Sequence, residues 1–162
     1  MERLGRTYHG KSPRLLAALR GFSDAVRGSE VLDQKLVDLV FLRASQLNGC
    51  GFCVEMHVAE AQLRGEQDER LHAVAAFRHS GRFTAREKAA LALTEAVTRL
   101  DGAVADDDYA RARAAFTDEE LVELTFAIGV INVWNRLNVT FETPAEQGRE
   151  FVLAEHRKRT RA

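Results

Sequence analysis

Cysteine and proline are scarce, with two of each among 162 residues, and neither sign of charge is in excess: 23 lysines and arginines face 24 aspartates and glutamates, a formal net charge of −1. A chain so balanced carries no field suited to a polyanion or an anionic surface, so nucleic acid and membrane are not expected as partners. Also absent is any uninterrupted apolar run of bilayer-spanning length, and the polar stretch Met1 to Ser12 lacks the apolar core of a secretory signal; the expected location is cytoplasmic. No proline-rich or serine-rich linker and no internal repeat divides the chain. Its 46% hydrophobic and 29% charged residues suit one compact domain over residues 1–162.

What is present is helical punctuation. Ser12-Pro13 offers an N-cap and a first-turn proline, and Thr84/Glu87, Thr117/Glu120 and Thr143/Glu146 each have capping-box spacing, the last with Pro144 in its first turn. Helix-period apolar patterns cover Pro13–Val26, Glu30–Leu47, Cys50–Leu63, Asp68–Arg78, Ala85–Leu100, Asp106–Phe116, Asp118–Asn138 and Pro144–His156, separated by turn signals such as Asn48-Gly49 and Asp101-Gly102. With no strand pattern among them, the expected class is all-α, a compact multi-helix domain. Leu36–Ala44 and Phe126–Val139 are apolar nearly all round, which predicts helices buried within the domain or against another subunit of a homo-oligomer. On the second of these, Gly129 predicts a close approach by a neighbouring element. Asn132, Asn135 and Asn138, spaced i, i+3, i+6, predict a hydrogen-bonded stripe with a packing role.

The two cysteines stand together in Cys50-Gly51-Phe52-Cys53-Val54-Glu55-Met56-His57. At about 3.6 residues per turn, Cys50, Cys53 and His57 fall on one helix face. The Asn48-Gly49 turn starts that helix near Cys50, where unpaired backbone N–H groups favour thiolate. A thiolate that attacks peroxide becomes a sulfenic acid, and a second thiol three residues away can condense with it to a disulfide, the Cα separation at this spacing being roughly 5–6 Å. His57 lies one turn beyond Cys53 and nearly two beyond Cys50, which favours Cys53 as nucleophile and Cys50 as resolving thiol; the helix dipole argues the other way. Both sulfurs are expected within reach of solvent. A base needs an orienting group, and Asp38, in an apolar stretch where a carboxylate requires a partner, is the candidate for His57, with Glu60 able to fill the same role. Glu55 should point away.

Other chemistries fit less well. Free cysteine packs as a small hydrophobe, but the turn and His57 speak for a site. Zinc would find two thiolates and an imidazole and would still need Asp38, another chain or water, so neither metal nor organic cofactor is expected. Covalent haem attachment needs histidine directly after Cys53, where Val54 stands. His9, His72, His79 and His156 suggest no role, and the basic tail Arg157 to Arg161 reads as a solvated helix end.

The stretch from Asp38 through Arg43-Ala44-Ser45-Gln46-Leu47-Asn48-Gly49 to His57 resembles the signature of alkylhydroperoxidase D-like proteins of the carboxymuconolactone decarboxylase superfamily, and Asn132-Val133-Trp134-Asn135-Arg136-Leu137-Asn138 is similar to a later segment of many members. The resemblance implies an all-helical subunit in a dimer, trimer or hexamer. It also implies a thiol peroxidase whose disulfide is re-reduced by a dithiol donor, dihydrolipoyl or thioredoxin-like. By position, Cys53 would match the peroxide-attacking cysteine, Cys50 its partner and His57 the relay histidine. Asp38 falls where the family usually has glutamate, one methylene longer. Competing functions are a cofactor-independent decarboxylase or lactone enzyme on the same scaffold, and a redox-responsive or zinc-binding interaction protein.

Overall fold

A computed structural model describes residues 3–160; Met1, Glu2, Arg161 and Ala162, the ends of the polar amino terminus and of the basic tail, lie outside the described residues. Within them the chain is helical and without strands, in agreement with the expected class. The α-helices are α1 (Pro13–Arg27), α2 (Gln34–Leu47), α3 (Gly51–Leu63), α4 (Asp68–Ala73), α5 (Ala85–Arg99), α6 (Asp106–Ala115), α7 (Asp118–Thr140) and α8 (Gln147–Arg159), with 3-10 helices at Gly5–Gly10 and Val74–His79.

Helix α2 is the centre. It packs on α3, α5 and α7, as its all-round apolar pattern requires. Val37, Val40, Phe41 and Ala44 point into a core shared with α5 and α7, while Leu39 and Leu42 join Leu71, Val74, Phe77 and Leu91 in a second core on the other side. Each fully buried leucine or valine here contributes about 1.5–3 kcal/mol of transfer free energy. Arg43 adds a polar clamp by donating through Nε to the buried Glu95 of α5 at 2.8 Å. Burial works to raise the pKa of that carboxylate, but the hydrogen bonds and charges of Arg43 and Arg78 outweigh it, so Glu95 titrates below the usual carboxylate range.

The capping boxes at Thr84/Glu87 and Thr117/Glu120 form as expected, with both reciprocal hydrogen bonds. The third does not. Helix α8 begins at Gln147, Pro144 to Glu146 lie in a turn, and the Thr143 hydroxyl is buried without a partner. The reason is tertiary: this turn and the start of α8 are pressed onto α3, where a Cβ on Gly51 would lie 2.9 Å from the Ala145 Cβ and one on Gly148 would lie 2.1 Å from the Phe52 carbonyl oxygen. Only glycine fits at 148, and the helix starts where that contact allows.

Two further expectations are corrected, and one element is added. The Asp68–Arg78 pattern is broken into α4 and a 3-10 helix by a kink at Ala76, which lets Val74 and Phe77 both enter the second core. In the polar amino end, Gly5–Gly10 forms a 3-10 helix tied by the Gly5 N–H to the Phe141 carbonyl at 2.8 Å. Gly129 is exposed, and a Cβ there would meet nothing within 4 Å among the described residues, so no described element approaches it closely. No helix among the described residues is long and apolar enough to cross a membrane.

Candidate active site

Gly49, at φ 64°, makes the turn that separates α2 from α3 without the strain a side chain would suffer. Cys50 becomes the N-cap of α3. Its sulfur accepts the Cys53 N–H at 3.3 Å, and its own N–H donates to the Ser45 carbonyl at 3.0 Å. Cys50 and Cys53 are joined in a disulfide with a Cα separation of 5.3 Å, so the pair sits in the first turn as the spacing predicts.

The asparagine stripe fastens the end of α2 to α7. Asn135 donates through Nδ2 to the Ser45 hydroxyl at 3.0 Å and accepts from Asn48 at 2.9 Å; Asn132 also accepts from Asn48 at 2.9 Å and donates to Thr98 at 3.0 Å. Asn138, the third member, reaches the disulfide, its Nδ2 lying 3.6 Å from Cys53 Sγ.

One turn beyond Cys53, His57 is buried, with its ring against the edge of Phe41. Its Nδ1 lies 2.9 Å from Glu60 Oε2, whereas Nε2 is buried without a partner. A carboxylate at Nδ1 holds the proton there in the neutral ring and leaves the Nε2 lone pair free to take one. Burial works to raise the Glu60 pKa; the hydrogen bond from His57 and the charges of His57, Arg27 and Arg64 outweigh it and bring the carboxyl down from 4.5 to about 2. Glu60 is therefore anionic at any physiological pH.

Asp38 is buried as expected, but it does not hold the imidazole. It accepts from Arg64 at 2.9 and 3.0 Å and pairs with Arg27, which also pairs with Glu60 and stacks on Phe41. The shorter side chain of aspartate is satisfied by two guanidinium groups, and Glu60, one turn from His57 on the same helix, takes the ring. Nothing in their local pattern marks Arg27 or Arg64; the signal for a cation was the buried carboxylate itself. Glu55 is exposed, as its position predicts.

Contrary to expectation, neither sulfur is open to solvent: Cys50 is 2% and Cys53 0% exposed. Phe52, Met56 and Phe151 of α8 pack around them, and the Arg6 guanidinium lies 5.4 Å from the Phe52 ring centre and 4.8 Å from that of Phe151. Docking of α8 and of the amino-terminal 3-10 helix on α3 makes this cover, and neither contact is local in sequence. Among the described residues no group of three or more His, Cys, Asp or Glu side chains is arranged to hold a metal ion.

The model of the carboxymuconolactone decarboxylase family matches residues 13–96, more than half of the chain and the whole of the cysteine motif with its supporting helix. The chain belongs to this family. An uncharacterized Bacillus subtilis protein, YdfG, is 37% identical over 103 residues, covering 63% of this chain and 70% of that one. An uncharacterized Escherichia coli protein, YnjA, is 34% identical over 115 residues, 71% of this chain and 63% of its own. Among solved structures, an Agrobacterium tumefaciens protein of unknown function, described as a putative antioxidant defence protein AhpD, superposes with a TM-score of 0.82 at 38% identity, over 85% of this chain and 94% of that one. The helical arrangement is thus the alkylhydroperoxidase D-like fold of the carboxymuconolactone decarboxylase family.

Proposed function

We propose that the protein is a thiol-dependent peroxidase that reduces hydrogen or organic peroxides through a Cys50–Cys53 dithiol and disulfide cycle. The observation that carries the reading is the disulfide in the first turn of α3, one turn before a histidine whose Nδ1 is held by a carboxylate and whose Nε2 is unpartnered. In the reduced protein the Cys53 thiolate attacks the terminal peroxide oxygen and the O–O bond breaks. The leaving alkoxide or hydroxide takes a proton that His57 has accepted from the thiol, and Cys53 is left as sulfenic acid. The Cys50 thiolate then attacks the Cys53 sulfur, expelling hydroxide, which leaves as water once protonated. A dithiol donor, dihydrolipoyl or thioredoxin-like, returns the disulfide to two thiols and is itself oxidised. Asp38 acts here by holding Arg27 and Arg64 in place around Glu60.

Because the oxidised pair is covered, entry of substrate and donor requires the Phe151 side of α8 or the Arg6 segment to move. The same reading makes the protein a homo-oligomer, for which Val122, Phe126 and Val133, exposed along α7, offer an apolar face. Peroxide consumption with a dithiol reductant tests the cycle. Cys53→Ser should lower turnover by about a hundredfold or more, and Cys50→Ser should stop after one turnover with sulfenate at Cys53. Undiminished turnover in both single variants would remove the thiol mechanism.

A further inference from the structure

We propose that the Asn138 carboxamide is a neutral hydrogen-bond donor to the Cys53 sulfur in the reduced protein, and that Tyr8 of the amino-terminal 3-10 helix is the residue that fixes its orientation. This inference rests on the reading of Cys53 as the attacking thiol and adds to the site a donor that the cysteine motif does not contain.

Both protons of the amide are committed. One points to the Trp134 carbonyl at 3.0 Å and the other to Cys53 Sγ at 3.6 Å, while Oδ1 accepts from the Tyr8 hydroxyl at 3.4 Å. A flipped amide would set its oxygen against the Trp134 carbonyl and its nitrogen against the Tyr8 hydroxyl, so the network selects the donor orientation. Tyr8 is itself fixed: it is buried, and its ring stacks on Phe141 at 5.0 Å between centres. Burial pushes its hydroxyl up to about 12 against the opposing charges of Arg6 and Arg20, so it remains a donor throughout the working range.

A disulfide sulfur is a weak acceptor, consistent with the long contact in the oxidised pair. A thiolate carries a full charge, and a hydrogen bond to a charged group is about twice as strong as a neutral one. The Asn138 donor therefore discriminates in favour of the reduced, ionised Cys53. Cys50 is served differently, by the backbone N–H of Cys53 at the helix start.

Few charges compete for this role. On α2, Asp38 is engaged by Arg27 and Arg64, and Arg43 by Glu95; on α7, Arg136 bonds Asn132; on α8, Arg149 bonds Gln62. Near the pair stand His57 on α3 itself, with Glu60 behind it, and Arg6 above Phe52 and Phe151, while Arg20 acts on Tyr8 and Glu55 of α3 is exposed. Among the described residues, Asn138 is the side chain within hydrogen-bond distance of Cys53 Sγ.

The test is a thiolate titration by ultraviolet absorbance in reduced protein, with Cys50→Ser as background so that Cys53 alone is followed. Asn138→Leu should move the Cys53 midpoint up by about one pH unit and slow alkylation by iodoacetamide at neutral pH by up to about tenfold. Asn138→Asp, which sets a carboxylate against the sulfur, should move it further in the same direction, and Tyr8→Phe should move it by a fraction of a unit. An unmoved midpoint in folded Asn138→Leu, or in Asn138→Asp should the leucine variant not fold, overturns the assignment. Because the titration needs no peroxide, a moved midpoint without peroxide turnover would uphold Asn138 and sink the peroxidase reading. Turnover with an unmoved midpoint would do the reverse.

Discussion

The dithiol helix α3 is flanked by two polar arrays of opposite character. On the α7 side runs a ladder of neutral amides, Asn132, Asn135 and Asn138, which bond to amides, hydroxyls and backbone, with Arg136 on Asn132 and the Cys53 sulfur on Asn138. On the α1 side lies an ionic cluster of Arg27, Asp38, Glu60 and Arg64 around His57. The ladder holds the backbone around the cysteines in one arrangement, and none of its three amides titrates. The cluster holds the imidazole to which the proposed cycle assigns the proton, and its carboxylates and guanidinium groups must stay charged to do so. In the proposed cycle, position and proton transfer are thus supplied by two separate sets of side chains around one helix.

The comparison breaks most visibly at Asp38. Asp38→Asn leaves two guanidinium groups without their buried anion and should cost about 3 kcal/mol of unfolding free energy, read by denaturant titration; Arg64→Ala, which removes a partly exposed partner, should cost about 1 kcal/mol. The next largest effect is pH-dependent. The Glu60 carboxyl is lowered on folding, so its contribution is complete above 4.5 and is lost as pH falls toward about 2. Glu60→Gln should therefore be less stable than the parent by about 2 kcal/mol near neutrality, and the gap should close through that acid window. The smallest effect belongs to the ladder. Asn135→Ala should cost about 1 kcal/mol through the lost Ser45 and Asn48 bonds, by the same amount at pH 4 as at pH 7. A pH-dependent penalty there would erase the distinction between the two arrays.

The parts legible in sequence are those with local causes. The Asn48-Gly49 turn, the two capping boxes that form and the dithiol at the head of α3 each depend on residues a few positions apart. The all-round apolar pattern of α2 marks its central place, and the asparagine stripe marks a hydrogen-bonded seam. The parts that were not legible are long-range. Thr143 and Glu146 have the spacing of a capping box but are overruled by the seating of α8 on α3. Asp38 announces a partner, but which cations arrive depends on how α1 and the end of α3 converge. Tyr8 sits in a segment too short to show a period, and it meets Asn138 across 130 positions of sequence.

Gly148 gives the outer helix a single permitted height. A methyl group there would have to share space with the Phe52 carbonyl oxygen, so α8 cannot be raised or lowered by ordinary side-chain adjustment. The seat of the two sulfurs is therefore gauged by a residue that contributes no atoms beyond the main chain. Any sequence drift that enlarges it would be felt first as a lifted roof over the cysteines.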